Sequence, residues 1–342
     1  MIDFRYHLVS IVAVFLALAI GIVLGSTELQ GPVYNVLDRT TSQLHNQLTT
    51  EENQAATAQQ GLSADNAMLA ATEAWDVRDM LNGQRVVIFT EPDAQQSVIT
   101  GTETALKDAG ATVTGQINLQ PRFFDGSSAT AASLETTNSQ LASSAGISLP
   151  SLSDQQQATA QVLSTEILTK SSSSNTGIQA TSNSQTTQAQ TALGAYAAQN
   201  FLTVSGQPST QATLAVVITP QAVPADGTAD PLAQVLGPFA QELAQASSGA
   251  VVAGSAAASG AGSPIAELRA TSASSKVSSV DDADTTRGDI DLVDALYSTL
   301  IGGSAVSYGM IAGTYPSLNP TATPSPSSTP SASSPSSRKP HK

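Results

Sequence analysis

The chain contains no cysteine, which excludes a disulfide framework, a thiolate metal site and a cysteine nucleophile while leaving the redox compartment open. Histidine is almost as scarce. His7 precedes the first apolar run, His45 follows it, and His341 stands next to the end of the chain. No Ser/His/Asp arrangement is therefore available between residues 83 and 315. Soft-metal ligation meets the same shortage, because Met1, Met68, Met80 and Met310 follow no repeated Met-x-x-Met spacing. Met68 and Met80 are expected to be packing residues. Charge is sparse, at 12% of residues, and lopsided: 13 Lys+Arg against 27 Asp+Glu give a net charge of −14. Such a field repels nucleic acid, which is excluded as a partner. Ser, Thr, Ala and Gln stand where Lys and Glu usually keep a protein soluble.

What is present is organised in blocks. Leu8 to Leu24 (LVSIVAVFLALAIGIVL) carries no charge, and at 1.5 Å per residue it spans roughly 26 Å, enough to cross a thin hydrocarbon core. A secretory signal peptide and a buried core helix are the competing readings. The small-x-small sites after Leu24 are poor and the run is apolar all round, so an uncleaved anchor over residues 1–26 is favoured. Arg5 before the span and Glu28 after it set the N-terminus in the cytoplasm and the remainder outside. Residues 27–82 are expected to form a helical stalk, with Leu37, Leu44, Leu48, Ala55, Leu62 and Leu69 in partial heptad spacing. Glu51 and Asp65 interrupt that seam. The stalk either pairs protomers, or grips an envelope partner, or folds against the main domain.

From residue 83 to 315 the pattern changes to short apolar runs separated by helical stretches. Strands are expected at 85–90, 112–119, 214–218, 250–253 and 276–280, and helices at 97–109, 151–170, 231–246, 264–270 and 286–301. This alternation predicts an α/β fold with an open, mostly parallel, doubly wound sheet. Residues 171–190 (SSSSNTGIQATSNSQTTQAQ) read as a polar insertion or loop. Residues 316–342, rich in Ser and Pro, read as a disordered tail, either unmodified or an O-glycosylated spacer.

Catalytic signatures are missing: there is no G-x-S-x-G, no G-x-x-x-x-G-K-[ST], and no G-x-G-x-x-G after the first strand, which runs into Glu91-Pro92-Asp93. Those two acids read as a solvated turn. The densest polar cluster is Asp281-Asp282-Ala283-Asp284-Thr285-Thr286-Arg287-Gly288-Asp289, at the strand-to-helix edge where open α/β sheets bind ligands. Asp281, Asp282 and Asp284 are the candidate metal ligands there, for a hard divalent cation, although the spacing does not follow the calcium-loop pattern. Helix capping by Asp284 or Thr285 is the preferred reading of the same residues. No resident cofactor is evident, and no catalytic residue is assigned.

Two segments together carry a family likeness: Met1-Ile2-Asp3-Phe4-Arg5-Tyr6-His7-Leu8-Val9-Ser10 running into the apolar span, and Val277 to Thr285 followed by a helix and Ser307-Tyr308-Gly309. The chain resembles the mycobacterial copper transport protein B family of actinobacteria. That family places Pro after the Asp-Thr pair, where this chain has Thr286. The resemblance implies a membrane protein of the cell envelope assigned to copper efflux or homeostasis, with copper as a transported ion, and described as pore-forming in the outer membrane. One span and buried-type strands do not make a channel wall in a single protomer. A non-catalytic envelope or cell-division scaffold, acting through the stalk as a homo-oligomer or with an envelope partner, stays open beside copper transport. An enzyme acting on wall material through Asp281 or Asp284 is the third reading.

Overall fold

The computed structural model describes residues 4–149, 154–171, 182–220, 231–255 and 262–310. The Ser/Pro segment from Pro316 and most of the polar stretch after Ser171 lie outside these residues. The chain divides into two compact units, Met1–Ala67 and Met68–Lys342.

The first unit is helical. Helix α1 (Phe4–Asp76) is continuous over 73 residues, with no break between apolar span and stalk. Its window Tyr6–Gly25 has a mean hydropathy of 2.9 and none of it is buried, so the helix is long and apolar enough to cross a membrane. Beyond the span, helix polarity rests on hydroxyls rather than charges: Thr49, Thr50, Thr57 and Ser63 each donate to the carbonyl four residues earlier. Leu44 and Leu48, two of the heptad leucines, remain 55% and 59% exposed.

The second unit is a seven-stranded sheet in the order β3-β2-β1-β4-β5-β6-β7. Its strands are β1 (Arg85–Thr90), β2 (Thr112–Leu119), β3 (Leu202–Gly206), β4 (Leu214–Ile218), β5 (Ala250–Ala253), β6 (Ser278–Val280) and β7 (Ser307–Tyr308). All pairings are parallel except β2 with β3. The central strands are apolar throughout because helices cover both faces, and pleating sends alternate residues to opposite cores. Val87, Phe89, Ala215, Val217 and Val252 face one core with helices α3 (Ser128–Ala145), α4 (Gln155–Ile167), α5 (Asn183–Ala198), α6 (Pro231–Ala246) and α7 (Pro264–Ala270). Val86, Ile88, Leu214, Val216 and Val251 face the other with α2 (Gln96–Asp108), α8 (Thr286–Leu300) and the buried Val77 and Leu81. Phe239 stands at the middle of the first core, edge-on to Phe89 and Phe123 with centroids 5.5 and 5.9 Å away. A buried polar knot joins three helices there: Tyr196 Oη and Thr159 Oγ1 donate to Asn138 Oδ1 at 2.6 and 2.9 Å, and Asn138 Nδ2 donates to the Gln155 carbonyl.

The five expected strands and five expected helices of this unit are present, and the open doubly wound class holds. Two corrections concern what the polar composition hid. The stretch read as a loop over 171–190 becomes helical at Asn183, where α5 opens on a capping box formed by Ser182 and Gln185. Its inward face is Ala189, Ala192, Leu193 and Tyr196, a helical spacing that opens on alanines and turns to large side chains only beyond residue 190. Helix α3 and strands β3 and β7 are the other additions. Of β3 only Leu202 is buried, since it is a sheet edge and has no apolar run to show.

Candidate functional site

The acidic segment 281–294 is shaped by one tight strand-to-helix turn. Thr285 is the N-cap of α8, its Oγ1 accepting from Gly288 N at 3.0 Å and donating to the Asp282 carbonyl at 2.8 Å. A side chain at Gly288 would run into the Asp282 backbone, so glycine closes the turn. Capping thus falls to Thr285, while Asp284 is exposed.

The remaining acids go to separate environments. Asp281 is fully buried and its Oδ2 meets Arg269 Nη1 at 2.6 Å, while Oδ1 accepts from Met310 N at 2.7 Å. The same guanidinium donates to Ser279 Oγ at 2.8 Å and to the Tyr308 carbonyl at 2.9 Å. Arg269 on α7 therefore pins β6 to β7, and Asp281 is its counter-ion. Asp282, also fully buried, has Arg287 Nε at 3.8 Å, which reaches Asp291 Oδ2 at 3.5 Å. Burial, with Asp291 adding to it, pushes the Asp282 carboxyl up to about 6. Burial first and Asp76 second raise Asp294 to about 6, and burial with Asp294 and Asp291 raises the Tyr308 hydroxyl to about 12.

Asp289 leaves this row and faces α2. With Glu73, Gln96, Ser97, Thr100 and Thr104 it lines an open cavity of about 480 Å³, whose floor is Gly101; a Cβ there would stand 2.9 Å from Asp289 Oδ2. Burial, then the Glu73 and Asp282 charges, push Asp289 up to about 8, and its Oδ1 has no hydrogen bond among the described residues. Burial, then Asp108, raises Glu73. This edge can hold protons at neutral pH, with oxygen as its donor chemistry. Among the described residues no group of three or more His, Cys, Asp and Glu is able to hold a metal ion.

Sequence reading missed Arg269 and Glu73 as parts of this edge, since they come from other segments of the chain, and it placed Asp289 in the cluster without separating it from the row. Two expectations are corrected. Met68 is 72% exposed, whereas Met80 packs against the second core; Met68 sits on an exposed helix face, which spacing cannot reveal. Glu91 is only 3% exposed rather than solvated, because its backbone N–H continues the ladder by donating to the Ile218 carbonyl. That bond marks the switch point of the sheet, where β1 and β4 lie side by side. The acidic edge at β6 is therefore two strands away from it.

A doubly wound α/β domain in one chain with an apolar, membrane-length helix defines a membrane-associated protein whose polar edge is acidic. The model of the family described as copper transport outer membrane protein, MctB, matches residues 1–317, and the chain belongs to that family. It is similar to the copper transporter MctB of Mycobacterium tuberculosis and that of Mycobacterium bovis, each 29% identical over 313 residues, covering 90% of this chain and 96% of the relative. The copper transporter MctB of Mycobacterium leprae is 29% identical over 319 residues, covering 91% and 96%. The likeness first read from Met1–Ser10 and the β6–α8 segment thus extends along nearly the whole chain.

Proposed function

We propose that the chain acts in copper efflux or homeostasis at the cell envelope, as a single-pass, non-catalytic component with its α/β domain outside the cytoplasmic membrane. The observation that carries this reading is the family match over residues 1–317, to a family named for copper transport rather than for a reaction. The physical form supports an assembly rather than a self-contained pore. A lone apolar helix cannot enclose an aqueous path, and strands buried on both faces cannot line one. Copper is a substrate of that assembly in this reading. Asp281 is taken up by Arg269, and Asp282 faces Arg287, so neither is assigned as its ligand.

A scaffold reading is favoured by one observation, the exposure of Leu44 and Leu48 at heptad-related positions of α1, which suits a second copy or an envelope partner along the stalk. One experiment separates the two. In a strain lacking the gene, cell copper content and copper-limited growth are measured with the full chain restored, and with a variant lacking Tyr6–Gly25. Copper transport requires copper overload in the deletion, rescue by the full chain and failure of the anchorless one. Normal copper with defective envelope or division sinks it and leaves the scaffold.

A further inference from the structure

A second site lies on the opposite face of the sheet from the acidic edge, and it is independent of the copper reading. Helices α3, α4 and α5 enclose a cleft of about 210 Å³ lined by Leu141, Ser144, Glu166, Thr187, Thr191 and Ala192, with Ala145 and Gln188 beside them. Glu166 is its floor, only 9% exposed. Among the described residues no hydrogen bond or ion pair reaches the Glu166 carboxylate, and burial raises its pKa. It also stands in the last turn of α4, next to the negative end of the helix dipole, in a turn with no basic residue. A carboxylate opposed by burial and dipole together, with no partner among the described residues, gains as an anion when a cation joins it.

The rim specifies what kind of cation. Ser144 Oγ donates to the Leu141 carbonyl at 2.8 Å, Thr187 Oγ1 to Asn183 at 2.9 Å and Thr191 Oγ1 to Thr187 at 2.8 Å. Each hydroxyl has thus committed its hydrogen to its own helix and presents lone pairs only. Carboxylate and hydroxyls present acceptors, the exposed Gln188 amide alone adding donors among the lining side chains, and all are set against the apolar Leu141, Ala145 and Ala192. A metal ion demands oxygen on most sides and gains nothing from that apolar wall. A primary ammonium carries three donors and one positive charge on an apolar stem, which answers both halves of the cleft.

We propose that the α3–α4–α5 cleft binds a small primary alkylammonium, its N–H donors meeting Glu166 and the rim hydroxyl oxygens and its stem lying on Leu141, Ala145 and Ala192. The test uses the full chain in detergent micelles, with n-butylammonium titrated calorimetrically and 1-butanol, tetramethylammonium and potassium chloride as comparators. The expected result is saturable, one-site binding of n-butylammonium, weakened about tenfold or more by Glu166→Gln, as for loss of a charged hydrogen bond. Thr191→Val, exposed and isosteric, should weaken it several-fold while circular dichroism stays unchanged. Equal binding of butanol or tetramethylammonium, displacement by potassium at constant ionic strength, unchanged affinity in Glu166→Gln, or no saturable binding at millimolar concentrations would each overturn the assignment.

Discussion

Replacing Asp289 by Asn keeps the shape of the side chain and removes its ionisation. In the folded protein the carboxyl titrates near 8, against 3.8 for the free group, so the folded state holds the proton more tightly than the unfolded one. The sign follows: between those values ionisation favours the unfolded chain, and stability falls as pH rises toward 8. At about 1.4 kcal/mol per pKa unit the full shift sets a ceiling of roughly 5–6 kcal/mol. Water entering the open cavity beside Gln96 and Thr104 screens much of this, leaving about 2 kcal/mol between pH 5 and pH 8. Asp289→Asn should therefore gain stability over the natural chain progressively with pH, reaching roughly 5 °C in melting temperature at pH 8. Paired thermal melts of the full chain in detergent, at pH 5, 6.5 and 8, measure the difference directly. A difference constant with pH, or a variant less stable at pH 8, would refute the account of Asp289 as a buried acid strained by burial and by Glu73.

Arg269→Met leaves Asp281 buried without its counter-ion and should cost about 3–5 kcal/mol in urea unfolding. Arg269→Lys should recover little, because one ammonium cannot serve Ser279, Asp281 and the Tyr308 carbonyl together. Tyr196→Phe removes one of two donors to Asn138 Oδ1 while Thr159 remains, so a loss of about 1 kcal/mol in the same assay is expected; no loss would mean the knot is dispensable.

The parallel core was legible in the sequence because both faces of β1, β4 and β5 are buried, and only uninterrupted apolar runs such as Val86–Phe89 satisfy that demand. The helix start at Thr285 was legible for a local reason: capping is decided within four residues. Elements at the margin were not. Helix α5 builds its inward face from Ala189, Ala192 and Leu193 amid Gln and Thr, so its spacing carries little hydropathy contrast. Strand β3 is fixed by its pairing with β2 rather than by its own side chains. At the acidic edge, Asp281, Asp282 and Asp289 could be picked out as members of one cluster, but their environments depend on Arg269, Arg287 and Glu73. The first and last of these arrive from other segments of the chain, and no spacing rule announces them.

The middle position of β1 has a consequence for how the molecule is made. Strand β2 can pair with β1 soon after both leave the ribosome, but the partner on the other side is β4, whose last residue is Ile218. About 130 residues separate the ends of β1 and β4, so at roughly 5–20 residues per second the freshly made Val-Val-Ile-Phe run waits of the order of ten seconds with one edge unpaired. A nascent chain with such an edge invites foreign strands. Slowing synthesis between residues 90 and 218 should therefore raise the misfolded fraction more than slowing it after residue 218, where each new strand adds directly to a sheet already begun.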